Sequence, residues 1–317
     1  MFNEIIQNPD LTTGAKFQDN TKYYHADANL NLQDYIDWAE IQVGGSYRLY
    51  SLNSNGSIFT DYDGPIEYNE YGVYTQLQKK FLEDDRLKFT ASVRYDKAQN
   101  FKGNVSPRIS LAYAAGENKN QNFRASFQTG FRNPTTQDQY IGLNAGRAYL
   151  VGSAPDNLDR YQTQPLLVSG FGQGILGSST IEMSGRAAYE NAFSASSVTD
   201  FAAGKVATPT VANVALVAPE KVTAYEVGYR GLVEAGEQRI TVDLSVYYNS
   251  YEDFIAGKNV VSPFYGTVGD NSLSLAALAN GDYTVFQTYT NSAADINSYG
   301  ATIGLNTKIF ELSRGNM

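Results

Sequence analysis

Apolar and polar residues alternate one by one along much of this chain. In 86–96 the odd positions Leu87, Phe89, Ala91, Val93 and Tyr95 are apolar, and the even positions Lys88, Thr90, Ser92, Arg94 and Asp96 are polar. A period of two belongs to a β-strand, whose successive side chains point to opposite faces; a helix would repeat at about 3.6. The pattern returns with Val105, Pro107, Ile109, Leu111 and Tyr113, then with Phe123, Ala125, Phe127 and Phe131, and again with Ile240, Val242, Leu244, Val246 and Tyr248. Weaker versions over 21–32, 40–52, 68–82, 221–233 and 295–310 bring the expected strands to nine.

Strand length separates two readings. These runs extend over about eleven to fifteen residues, whereas soluble strands usually stop at about five or six and a tilted strand needs about nine to eleven to cross a bilayer. Aromatic residues gather towards strand ends, as with Tyr95, Tyr113, Phe123, Phe131, Tyr248 and Tyr299, which suits the two girdles of a transmembrane barrel. The polar faces carry Arg94, Arg108, Arg124, Arg132, Glu226 and Arg230, tolerable in a wet lumen and costly against lipid. A soluble β-sandwich binding module or adhesin is the alternative; it explains the charges and not the lengths.

Connections differ in length. Short turns fall at 83–85, 115–120 and 234–237, and long links at 53–67, 133–220 and 253–284. Short turns belong at the periplasmic rim and long loops outside the cell. The 133–220 segment, rich in Gly, Asn, Ser and Asp, is too long for an ordinary connection, so it is a functional loop or several small elements packed over the barrel mouth.

Composition narrows the function. The chain of 317 residues carries Lys+Arg 24 against Asp+Glu 33, a formal net charge of −9. That balance disfavours nucleic acid, which draws affinity from clustered Lys and Arg. Cys 0 removes disulfides, thiolate zinc sites and a Cys nucleophile, and His 1 leaves no material for His triads or multi-His metal sites. No apolar run reaches transmembrane-helix length, and the N-terminus lacks the basic and apolar regions of a signal peptide.

Several segments resemble a known family. Phe89-Thr-Ala-Ser-Val-Arg-Tyr-Asp96, Val105-Ser-Pro-Arg-Ile-Ser-Leu-Ala-Tyr113 and Phe123-Arg-Ala-Ser-Phe-Gln-Thr-Gly-Phe-Arg-Asn-Pro-Thr135 are similar, in that order, to the mid-barrel run of TonB-dependent outer-membrane receptors. Pro219-Glu-Lys-Val-Thr-Ala-Tyr-Glu-Val-Gly-Tyr-Arg230, Tyr247-Tyr-Asn-Ser-Tyr-Glu-Asp-Phe-Ile255 and Asn291-Ser-Ala-Ala-Asp-Ile-Asn-Ser-Tyr-Gly300 continue it. The resemblance implies an all-β, antiparallel transmembrane barrel of 22 strands, plugged by an N-terminal domain and energised by TonB, that imports a large scarce nutrient. Nine strands would then be an incomplete, mid-barrel part of that wall, with the plug, the TonB box and an aromatic last strand absent, the chain ending in a turn at 312–317. Expected partners are outer-membrane lipid, the receptor's own plug, the TonB complex and an extracellular ligand, in the outer membrane of a Gram-negative bacterium.

Within that frame the inward Arg94, Arg108, Arg124, Arg132, Glu226 and Arg230 are candidates to meet the plug, or else to bond each other and lumen water. Tyr140, Tyr149, Tyr161 and Tyr189 could stack on a ligand or pack the loop itself. No catalytic group, cofactor or metal site is expected, since Ser178, Ser179 and Ser194 lack a histidine base, which speaks against a small barrel hydrolase. Asp61, Asp63 and Glu67 lack calcium-loop spacing and read as a polar loop, His25 as a solitary lumen side chain, and 170–177 as flexible glycine-rich loop.

Overall fold

The computed structural model describes residues 2–307 apart from 9–13, 15, 17, 236–237 and 271. The expected end of the last strand at 308–310, and the turn at 312–317, lie outside the described residues.

All nine long strands are present: β1 Lys22–Asn31, β2 Glu40–Leu52, β3 Ile66–Phe81, β4 Leu87–Ala98, β5 Asn104–Ala115, β6 Gln121–Arg132, β7 Glu220–Ala235, β8 Gln238–Glu252 and β9 Ile296–Thr307. They join in chain order into one antiparallel sheet. Lengths of 10 to 16 residues match the bilayer-crossing expectation. Among the described residues the sheet stays open between β1 and β9, each with one unpaired edge, so this is a partial barrel wall. No helix among the described residues is long and apolar enough to cross a membrane.

Register fixes the two faces. Outward, the pairs Phe127↔Tyr225, Tyr225↔Tyr248 and Tyr248↔Tyr299 make one aromatic row, and Tyr113↔Phe123 and Phe123↔Tyr229 a second. The rings meet at a tilt, with centroids 5.2 Å apart for Phe127 and Tyr225 and 5.1 Å for Phe123 and Tyr229. The outward face is bare, with Val105 61%, Val227 57%, Ile303 72% and Leu305 71% exposed. A soluble sandwich would bury such a face against a second sheet, so the alternative drawn from the sequence does not hold.

Two short connections, 82–86 and 116–120, share one rim with the 32–39 turn and with the paired ends of β7 and β8 at Ala235 and Gln238. The opposite rim carries 53–65, 99–103, 133–219 and 253–295. Two of these are folded. Of the two readings of 133–220, the segment has the several small elements, with short helices at 136–140, 155–160, 170–176, 185–190 and 195–202, and the 253–284 link adds strands Ile255–Pro263 and Tyr283–Asn291 around helix Leu273–Asn280. Together they build a second sheet of five strands, in the order 193–194, 255–263, 283–291, 149–151, 142–144. We call this unit the cap. Its largest core holds Val151, Leu158, Tyr161, Ala188, Val260 and Phe286. Residues 170–176 are helical, not flexible loop, because the Ser169 side chain accepts the Gly172 N–H and starts the helix.

A separate core fixes the cap to the rim. Leu52, Phe59, Ile66, Tyr68 and Ala98 from the β2–β4 side enclose Tyr140 and Ala154 from the segment after β6. Thr60 N–H bonds the Tyr140 carbonyl at 3.2 Å, Gly142 N–H the Ile58 carbonyl at 2.9 Å, and the Thr60 hydroxyl the Asn157 side chain at 2.6 Å. The chain leaving β6 therefore doubles back over strands β2–β4 before it builds the cap.

The inner wall and the foot of the cap

Alternation places every even residue of β3 to β7 named above on the inner face, and the structure shows what each charged one touches. Arg94 donates from Nε to Asp96 at 2.7 and 2.9 Å, and from Nη2 to the Ser46 hydroxyl at 3.2 Å. Gly72 makes this reach possible: a Cβ there would stand 2.3 Å from Asp96 Oδ1 and 2.6 Å from Arg94 Nη2. Arg124 lies between Glu226 and Asp243, 3.5 Å from each. Arg132 forms two parallel bonds to Glu220, at 2.6 and 2.7 Å. Arg108 and Arg230 form no side-chain hydrogen bond or ion pair among the described residues.

A cavity of about 670 Å³ opens on this face beneath the foot of the cap, lined among others by Arg48, Tyr50, Tyr68, Glu70, Arg94 and Asp96. Glu70 accepts from Asn133 Nδ2 at 3.0 Å and pairs with Arg48 at 3.4 Å. Asn133 Oδ1 is buried without a partner. Tyr23, Tyr50, Tyr68 and Tyr140 run as a ladder of rings from β1 to the cap, at centroid separations of 5.0, 5.9 and 6.2 Å. Such a surface can bind polar and aromatic groups. It holds no nucleophile with a base, and no cluster of metal-ligating residues occurs among the described residues.

The four loop tyrosines have another position than a ligand-stacking role requires. Tyr140, Tyr161 and Tyr189 are buried at 1%, 3% and 8% exposure, and Tyr149 is half-buried against Phe286, 6.0 Å between ring centres. Burial pushes all four hydroxyls above the usual tyrosine range. The Tyr189 hydroxyl donates to the Val151 carbonyl at 3.0 Å and accepts the Tyr289 N–H at 3.1 Å. Tyr161 and Tyr189 belong to the cap's largest core, with Tyr149 packed against it, and Tyr140 to the core between cap and rim. Asp61 is likewise buried at 2%, its carboxylate accepting the Ser54 hydroxyl at 2.6 Å and the Asn55 and Gly56 N–H groups at 2.8 and 3.0 Å. It closes the loop on itself. Next to it, burial and then the Asp61 charge push Tyr62 up to about 12. His25 sits on the inner face 3.9 Å from Asp27.

The partners Glu70, Asp96 and Glu220 were not among the site residues expected from sequence. Glu70 and Asp96 stand on the same polar faces as the arginines, so parity within β3 and β4 signals them. Glu220 has no such signal, because its pairing with Arg132 spans the whole 133–219 insertion.

An open wall of long antiparallel strands, apolar outside and charged inside, with a folded cap on one rim, defines an outer-membrane-type receptor barrel. The chain belongs to the TonB dependent receptor-like, β-barrel family, whose profile matches residues 2–165 and 179–315. Members of this family are transporters and not enzymes. Similar solved structures include the siderophore receptor PirA from Pseudomonas aeruginosa, at 16% identity over 77% of this chain and 36% of that one, TM-score 0.44. The FrpB iron transporter from Neisseria meningitidis is 12% identical over 92% of this chain and 33% of its own, TM-score 0.47. A variant of the ferric enterobactin receptor from Pseudomonas aeruginosa is 13% identical over 94% and 34%, TM-score 0.48. The chain spans about a third of the length of these receptors. No curated protein matches.

Proposed function

We propose that this chain forms part of the wall and the external cap of a TonB-dependent receptor in the outer membrane of a Gram-negative bacterium, importing a nutrient too large for open pores. The family match over most of the sequence carries this reading. The bare apolar outer face and the charged inner face support it, since lipid covers the one and a wet lumen the other. In the whole receptor the 133–220 region would lie outside the cell. A plug domain contributed by the receptor would fill the lumen, and TonB would drive its movement.

The inner-wall arginines divide by role. Arg94, Arg124 and Arg132 already have carboxylate partners within the wall. Arg108 and Arg230 have no side-chain partner among the described residues, and their five fixed donors each suit plug carboxylates and backbone carbonyls. The cargo class is an iron chelate, haem, cobalamin, oligosaccharide or peptide; fold does not choose among these.

The test is uptake. A strain lacking the gene is compared with the complemented strain for growth on single limiting nutrients, with and without functional TonB. Restored growth on one nutrient only when TonB works supports the proposal. Equal growth of all strains on every nutrient of these classes would overturn it.

A further inference from the structure

The helix at 170–176 carries two glycines that its own surroundings do not require. A Cβ added at Gly170 or Gly174 would meet no atom within 4 Å, and neither residue has a positive φ; at Gly172, on the buried side, it would lie 2.4 Å from Asp282 Oδ2. Glycine inside a helix is less favourable than alanine by about 0.5–1 kcal/mol. Nothing within the cap offsets that at Gly174.

The face beside these glycines is apolar. Phe171 and Ile175 lie one turn apart on the helix, and Leu167 precedes them on strand 166–167. Phe171 meets Tyr265 at 6.4 Å between ring centres, and Leu273 lies against the next residue, Gly266, where an added Cβ would stand 2.8 Å from the Leu273 Cβ. The three most exposed large apolar residues of the cap, Leu167 at 83%, Phe171 at 53% and Leu273 at 44%, thus belong to this one end of it. Charge is kept away: no Asp, Glu, Lys or Arg occurs from Tyr161 to Ile181 or from Ser272 to Gly281. Asp282 is buried, and Asp270 accepts the Ser272 N–H at 3.2 Å. The long hairpin of the cap starts at the wall, where the Ile255 N–H meets Glu220, and its nine-residue strands carry this end about 25 Å from that junction.

We propose that this end of the cap seats another external loop of the same receptor, with the loop's backbone against Gly170 and Gly174 and its apolar side chains on Phe171, Ile175 and Leu273. Area favours a tethered occupant. Four side chains offer well under the roughly 800 Å² that each partner of a stable free complex buries. A loop anchored in the same wall faces the surface at an effective concentration on the order of millimolar, and a small contact then suffices. Topology supplies such a loop. β9 runs from the cap rim at Ile296 to the turn rim at Thr307, and its second edge is unpaired among the described residues. An antiparallel strand added to that edge returns to the cap rim, so its connection rises beside the 253–295 insertion, which bears Leu273. This contact rests on reading the chain as part of a receptor wall.

The test is photo-crosslinking of the whole receptor in the outer membrane, with benzoylphenylalanine in place of Phe171 or, separately, of Leu273. Illumination is expected to join either position to an external loop of the same chain beyond β9, located by mass spectrometry of the digest. Gly174→Ala is expected to cut the yield about five-fold, because its methyl group enters the close approach. Its heat-modifiable migration and the protease resistance of 133–219 should match or exceed wild type, since alanine favours the helix. A product that joins two receptors, another protein or a lipid overturns the proposal, as does the lack of any product at both positions. Undiminished yield from Gly174→Ala overturns the seat on this helix. If TonB-dependent growth is still restored in these cases, the receptor reading stands without the contact.

Discussion

Arg132, the last residue of β6, holds Glu220, the first residue of β7, through two parallel bonds, Nε to Oε2 at 2.6 Å and Nη2 to Oε1 at 2.7 Å. The same carboxylate accepts the N–H of Ile255 at 2.7 Å, at the first residue of the cap's long hairpin. One side chain thus ties two wall strands to both insertions of the cap. Glu220→Ala removes three bonds and is expected to loosen the junction by about 1–3 kcal/mol. Limited proteolysis should show faster cleavage within 253–295 while the wall strands stay protected. Equal cleavage rates in variant and wild type would show that apolar packing alone fixes the cap.

That junction also marks how far the sequence could be read. All nine wall strands were legible, because each alternates over a window long enough for the period to stand out, and inner and outer faces followed from parity alone. The cap was not. Its strands at 142–144, 149–151 and 193–194 have two or three residues each, too few for a period, and its helices span at most eight. Its order also depends on distant pairing, as where Tyr149 lies beside Phe286 in a parallel ladder. Parity puts the arginines on one face of the wall, yet whether each is paired depends on register across strands, and for Arg132 across the insertion. The loop tyrosines carried no signal separating a binding surface from a core.

Asp282 is the polar centre of the cap. It is 1% exposed and accepts the Ser169 N–H and hydroxyl, both at 2.6 Å, and the Tyr265 hydroxyl at 2.8 Å. Burial raises its carboxyl, and the three donors more than offset this, leaving it below the usual carboxylate range. A carboxyl depressed on folding contributes stability that is present above its unfolded value of about 3.9 and lost as pH falls through the folded value. Tyr265 behaves in the opposite sense: burial, then its bond to Asp282, push it up to about 12. Its contribution is complete below about 10, the unfolded value, and is lost as pH rises towards the folded one. Hydrogen exchange of the 168–177 amides is therefore expected to be flat from about pH 4 to 10 once corrected for intrinsic rates. Asp282→Asn should speed it at pH 7 by the equivalent of about 1–3 kcal/mol, since an amide cannot accept from all three donors. Unchanged protection in the variant would remove Asp282 from this role.

The two faces of β7 make opposite predictions for the same residue type. Val227 points outward between Ala125 and Val246, and Ala224 inward between Gln128 and Asn249. Arginine at 227 would have to enter the apolar band, a cost of about 2–4 kcal/mol near the bilayer centre. Arginine at 224 would extend into the wet lumen at little cost. Folding titrations into lipid vesicles should show Val227→Arg destabilised and Ala224→Arg near wild type. Equal effects would contradict the assignment of faces.

Gly152 makes one of the tight backbone approaches of the cap. It follows strand 149–151 and crosses the helix at 136–140 so closely that a Cβ would lie 2.4 Å from the Gln139 carbonyl carbon and 2.6 Å from the Tyr140 nitrogen. Both are backbone atoms, so no rotamer change relieves the contact. The approach is held by the Gly152 N–H to the Ile141 carbonyl at 2.8 Å and the Ala154 N–H to the Gln139 carbonyl at 2.9 Å. Tyr140 carries the core that fixes the cap to the β2–β4 rim, so separating these segments would release that anchor. Gly152→Ala is expected to cost about 1–3 kcal/mol, as overpacking against fixed neighbours does, and to act on the cap while the wall still assembles. The check is a pair of measurements on one sample: heat-modifiable migration, which should match wild type, and protease resistance of 133–219, which should fall. Loss of both together would mean that the cap and wall fold as a single unit.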